Sequence, residues 1–186
     1  NQLLRVINDI VDYSKIQAGQ YEIENSEIHL NVLIEELKDL FDQEKETMNK
    51  QKIEITTSIP ETQEEKVIIS DHGKIKQIFS NLIENALKFT IKGKIEIGFF
   101  IQDNDVNFFV SDTGIGISEE NQQIIFEKFR QVDSSSSRNY GGTGLGLTIS
   151  KTLVELMDGK IWLNSDEQNG STFYFKIPFK EQDKFK

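Results

Sequence analysis

Residues 71–90 constrain the fold more than any other stretch of the chain. Asp71 stands where the N-cap of a helix should stand, and Ile75, Ile78, Leu82, Ala86 and Phe89 recur at helical spacing as a buried stripe ending near Phe89. At about 100° per residue, Asn81, Asn85 and Lys88 fall along one edge beside that stripe. An amphipathic helix of this kind needs a second layer to cover it. Two amides and an ammonium then lie at the margin of the core. Asparagine offers a neutral oxygen to a magnesium ion, and lysine offers a point charge to phosphate. Taken alone, a solvated polar face is the more ordinary reading.

The flanking sequence supplies the second layer. Ile53, Ile55 and Thr57 alternate as a strand, as do Val67–Ser70. Lys94–Ile101 and Val106–Ser111 read as a hairpin with Asp103, Asn104 and Asp105 in its turn, and Lys160–Asn164 and Ser171–Pro178 as another, turning at Gln168, Asn169 and Gly170. Further helices are predicted over about 31–48, with Val32, Leu33, Leu37, Leu40 and Phe41 on one face, over 118–126, and from about Gly144 to Met157, ended by Gly159. Residues 1–18 read as an apolar-striped helix that Gly19 stops, and 21–30 as a short strand or extended arm. Alternating helix and strand blocks with antiparallel hairpins predict an α+β fold. It is a two-layer α/β sandwich, with helices on one face of a mixed, mostly antiparallel sheet, plus the N-terminal helix.

Composition narrows the function classes. The 186 residues hold no cysteine, which removes thiolate chemistry, disulfides and cysteine-based zinc sites. The net charge of −10 argues against a broad nucleic-acid surface. An anion must instead be held locally, by a helix N-terminus, a placed lysine or a metal ion. No apolar run reaches the length of a membrane span. The chain opens at Asn1 without a Met and reads as an excised piece, so a missing targeting signal says nothing about its parent.

Two glycine-containing motifs follow the first. Asp112-Thr113-Gly114-Ile115-Gly116 comes directly after a strand, where glycines permit a sharp turn and a carboxylate can accept from an exocyclic amine. An ordinary strand-to-helix connection explains it as well. Gly141-Gly142-Thr143-Gly144-Leu145-Gly146-Leu147 opens a helix, where exposed N–H groups favour an anion. It is no dinucleotide fingerprint, since Leu147 or Ile149 stands where the third glycine is required, and no P-loop, since Gly73, Gly93 and Gly159 each precede Lys-Ile. A phosphate loop of another kind or a flexible hinge remains, and the helix position favours phosphate.

In this order, with Phe126-Glu127-Lys128-Phe129 between the last two, the motifs resemble the N, G1, F and G2 boxes of two-component sensor histidine kinases. Asn169-Gly170-Ser171-Thr172-Phe173 resembles the family's further glycine box. Residues 1–19 look like the end of its dimerisation and phosphoacceptor hairpin, leaving 20–180 as the catalytic domain and 181–186 as a polar tail. The resemblance implies a Bergerat-type fold binding ATP with Mg²⁺. By it, Asn85 ligates the ion, Asn81 supports it and Lys88 touches a phosphate oxygen. Asp112 binds the adenine amine in a pocket shaped by Gly114 and Gly116 and flanked by Phe89. Gly142, Thr143, Gly144, Leu145 and Gly146 line the triphosphate, residues 127–143 form a lid anchored by Phe126 and Phe129, and Thr172 sits near the adenine end. It further implies a cytoplasmic domain of a homodimeric parent, membrane-anchored or not. The phosphoryl group would go to a histidine helix and then to a response regulator receiver domain, with no nucleic acid involved. Arg130-Gln131-Val132-Asp133 and the serine run hint at a hybrid kinase.

Neither His29 nor His72 lies in a helical motif with a neighbouring acid, so both read as structural or solvated, and the phosphoacceptor is expected outside the fragment. ATP hydrolases of the same fold carry a glutamate four residues before the magnesium asparagine. Asn81 stands there, which disfavours hydrolysis. A degenerate module without turnover should lack the asparagine, the aspartate or the lid glycines, and all are present.

Overall fold

The computed structural model describes residues 22–61, 65–127 and 144–179, together with 7, 10–12, 14, 15 and 18–20. In chain order the elements are β1 (Ser26–His29), α1 (Leu30–Thr47), β2 (Ile53–Ser58), β3 (Val67–Ser70), α2 (His72–Phe89), β4 (Gly93–Gln102), β5 (Asp105–Asp112), α3 (Glu119–Gln122), α4 (Gly146–Leu156), β6 (Lys160–Asp166) and β7 (Gly170–Pro178). A five-stranded sheet runs β2-β4-β5-β7-β6. Only β2 and β4 pair in parallel; the other three pairings are antiparallel. A separate antiparallel ribbon joins β1 to β3, so the N-terminal arm pairs with the segment leading into α2. Among the described residues no helix is long and apolar enough to cross a membrane.

Alternation along the central strands sets the core. Val106, Phe108 and Val110 of β5 and Phe173, Phe175 and Ile177 of β7 face the helices. Phe79 of α2 meets Phe108 and Phe175 edge-on, with centroids 5.6 Å and 5.2 Å away, while those two rings stack at 4.8 Å. On the opposite face of the sheet, Trp162 stacks on Tyr174 at 5.3 Å.

Several boundaries differ from expectation. In α1 the buried face is Leu30, Leu33, Ile34, Leu37 and Phe41, whereas Val32 and Leu40 are exposed. The helix begins one residue early, and the stripe at spacings of three and four is the one that meets the sheet. The β4–β5 turn holds only Asp103 and Asn104, both at positive φ, as a two-residue hairpin requires. Asp105 already belongs to β5 and accepts from Lys176 Nζ at 2.5 Å. The helix expected over 118–126 shortens to α3 followed by turns. After α4 the left-handed residue is Asp158, at φ 59°, rather than Gly159.

Candidate functional site

The site is built on α2. Asp71 Oδ1 accepts from the Lys74 N–H at 3.0 Å, capping the helix, and Oδ2 accepts from the Glu24 N–H at 2.9 Å. One buried carboxylate thus starts the helix and ties the N-terminal arm to it. Farther along, Gln77 Nε2 donates to Asp12 Oδ2 at 2.8 Å, joining the N-terminal helical segment to the same helix.

Asn81, Asn85 and Lys88 follow on one edge, all partly buried. The Asn81 amide donates to the Gly146 carbonyl and to Ser150 Oγ, each at 3.1 Å, clasping α2 to the first turn of α4. That turn presents the positive end of the helix, which favours an anion. Lys88 Nζ lies 4.9 Å from the centroid of the Phe89 ring. Phe89 departs from the expected buried stripe: it is 37% exposed, on the last turn of α2. Its place on the stripe is supplied by Phe79, Ile83 and Leu87, which are fully buried.

The other end of the site forms where β5 runs out. Asp112 is buried, and its Oδ1 accepts from the Gly114 N–H at 2.8 Å. Burial pushes its carboxyl above the usual carboxylate range, opposed by the Gly114 N–H, the Ser171 backbone and the nearby Thr90 hydroxyl. A Cβ on Gly114 would lie 2.7 Å from Asp112 Oδ1, 2.7 Å from the Phe89 carbonyl and 3.0 Å from Thr90 Oγ1. The ends of α2 and β5 therefore touch across Gly114, where only glycine fits. Thr90 is fully buried, with its hydroxyl beside the Asp112 carboxyl. Sequence reasoning gave Thr90 no role, although its place just past the helix end was the available signal.

Gly116, at φ 70°, shapes the pocket indirectly. A Cβ there would fall 2.1 Å from the Asp166 carbonyl, so the β6–β7 hairpin, rather than a ligand, occupies its space. Ser165 secures that contact, its Oγ accepting from the Ile117 N–H at 2.8 Å and donating to the Gly170 carbonyl at 2.9 Å. Thr172 does not join the site. Register pairs Asp112 with Ser171, and Thr172 turns to the opposite face, with Oγ1 2.8 Å from Ser111 Oγ. The buried Ser171 stands beside Asp112 instead.

Gly144 adopts φ 70°, and Leu145 precedes α4 with its side chain in the core, leaving only its backbone to face a ligand. Phe126 packs edge-on against Phe173 at 6.3 Å, and Thr148 Oγ1 donates to its carbonyl at 3.4 Å. Phe129, Gly142 and Thr143, with residues 128–143 generally, lie outside the described residues. His29 pairs at the surface with Glu65, Nδ1 to Oε1 at 2.9 Å, and His72 opens α2.

Asn81 and Phe89 are eight residues apart, about 12 Å along the helix, with Asn85 midway. One end of that span meets a helix N-terminus and the other a buried carboxylate beside a buried hydroxyl. This suits an elongated ligand, anionic at one end and bearing a hydrogen-bonding ring at the other. Among the described residues no three His, Cys, Asp or Glu side chains gather around a metal position.

Over residues 70–181 the chain matches the family described as histidine kinase-, DNA gyrase B-, and HSP90-like ATPase. It is 40% identical over 185 residues to the autoinducer 2 sensor kinase/phosphatase LuxQ of Vibrio vulnificus, covering 95% of this chain and 21% of that protein. The chain thus spans about a fifth of that relative's length. The catalytic domain of histidine kinase ThkA superposes with a TM-score of 0.70 at 33% identity, covering 84% of this chain and 97% of that one. Full-length ShkA, solved with AMPPNP, superposes with a TM-score of 0.85 at 28% identity, over 97% of this chain and 36% of that one.

Proposed function

The chain belongs to the histidine kinase-, DNA gyrase B- and HSP90-like ATPase family, as a histidine kinase catalytic domain, and on that premise we propose that it binds MgATP along α2 and passes the γ-phosphoryl to a histidine outside the fragment. The reading rests on the way α2 touches the Gly114 loop at its end and the first turn of α4 at its middle. Asp112 accepts the adenine amine, with the buried Thr90 hydroxyl and the Ser171 backbone beside it. The N-terminus of α4 and Lys88 hold phosphate oxygens, and the Asn85 amide oxygen ligates Mg²⁺. An ion held there would supply positive charge against the phosphate oxygens. The protein's own part is to fix the nucleotide in one pose and oppose charge as it develops. The division into a hairpin end at 1–19, a catalytic domain at 20–180 and a tail at 181–186 goes with this reading. So do a homodimeric, cytoplasm-facing parent and a response regulator as final acceptor.

Hydrolysis fits less well. The position four residues before Asn85 holds an amide committed to α4, which has no basic group to orient water. The deciding measurement is calorimetric titration of the chain with ADP and a non-hydrolysable ATP analogue, with and without Mg²⁺. Magnesium-dependent binding is expected, with Asn85→Asp lowering it on the order of tenfold or more at unchanged melting temperature. A folded chain that binds neither nucleotide sinks the proposal and favours a degenerate module.

A further inference from the structure

Lysine is seldom buried without a purpose, yet Lys50 retains only 9% of its surface. Its Nζ donates to the Thr90 carbonyl at 2.8 Å, across forty residues of sequence. We infer that Lys50 is a positioning residue for the adenine end of the nucleotide site, acting through Thr90. The inference rests on the assignment of Asp112 to the base.

The side chain is launched from a rigid corner. Asn49, in the left-handed region at φ 56°, breaks the chain away from α1. The Lys50 N–H then donates to the Lys45 carbonyl at 2.8 Å, and its carbonyl accepts from the Ile53 N–H at 3.0 Å. Lys50 is thereby fixed between α1 and β2, and burial pushes its ammonium below the ordinary lysine range. At the far end, the Thr90 N–H is engaged by the Ala86 carbonyl at 2.9 Å and the Thr90 carbonyl by Lys50. The hydroxyl lies beside the Asp112 carboxyl, whose upward shift it opposes, and in contact range of Gly114. Holding the carbonyl fixes where that hydroxyl lies. It also fixes the Phe89–Thr90 backbone against which Gly114 packs. A loosened Thr90 would blur the side of the pocket that reads the base edge and leave Asn81 and Asn85, a helix turn or more away, untouched.

The test compares ADP with inosine diphosphate, which carries a carbonyl in place of the exocyclic amine, by calorimetry on the full chain with Mg²⁺ and thermal melting alongside. Lys50→Met should lose ADP affinity on the order of tenfold. Affinity for inosine diphosphate should change less than about twofold, so the preference for ADP collapses. Lys50→Arg, which keeps a donor, should restore part of the preference. Equal losses for both nucleotides, or a preserved preference at a lowered melting temperature, would overturn the inference and leave Lys50 a structural prop. Should Lys50→Met not fold, Thr90→Val removes the hydroxyl alone, and an unchanged preference there overturns it equally. A wild-type chain that does not distinguish the two nucleotides would defeat the base assignment itself, a result visible before any variant is made.

Discussion

Asp112 carries a charge that its surroundings resist. Burial raises its carboxyl above the ordinary value, with hydrogen bonds offsetting only part of the effect. A carboxylate raised in the folded state costs the nucleotide-free fold nothing below its unfolded value. It becomes a liability as pH rises through the folded value. Asp112→Asn should therefore raise the melting temperature of the free domain at pH 7, with the gain fading toward pH 4, while ADP binding is lost. Thermal melts across that range check it, and a variant less stable than wild type at pH 7 would contradict the sign. This residue was legible because its cues are local: a strand end, an acid and two glycines in sequence. Thr172 was misplaced because choosing between neighbouring strand residues needs the register, and a slip of one position exchanges the faces of a sheet. Thr90 and Lys50 stayed hidden because each gains its role from a partner forty positions away.

Among the elements, α2 bears most of the design. Its extent was readable from the Asp71 cap and the 3.6-residue period, both short-range signals. Its depth was not, because the aromatic contacts of Phe79 depend on which strands lie beneath it. Phe79→Ala should cost about 3–5 kcal/mol, measured by denaturant unfolding. A loss below about 1 kcal/mol would mean the neighbouring rings close the gap. The shift of the α1 stripe has the same origin, since periodicity alone allowed Val32 and Leu40 onto a face that packing then excluded.

At the scale of the molecule, the family match begins at residue 70, but the core does not. Ile28, Leu30, Leu33, Ile34, Leu37 and Phe41 are buried in it, and β1 pairs with β3. A chain starting at residue 20 should unfold cooperatively near the full-length melting temperature, whereas one starting at residue 70 should show no cooperative transition. Calorimetric scans of both would decide it, and a cooperative shorter chain would contradict the packing. The mixed sheet and its helical cover followed from alternating blocks in the sequence; the pairing of β1 with β3 did not, because strand partners about forty residues apart leave no local pattern. That ribbon leads straight into Asp71, whose two carboxylate oxygens hold the arm and the helix at once. Together with the Gln77–Asp12 bond it makes the first turns of α2 a coupling, with Asn85 and Lys88 farther down the same shaft. The N-terminal segment is thus tied by hydrogen bonds directly to the helix that carries Asn81, Asn85 and Lys88.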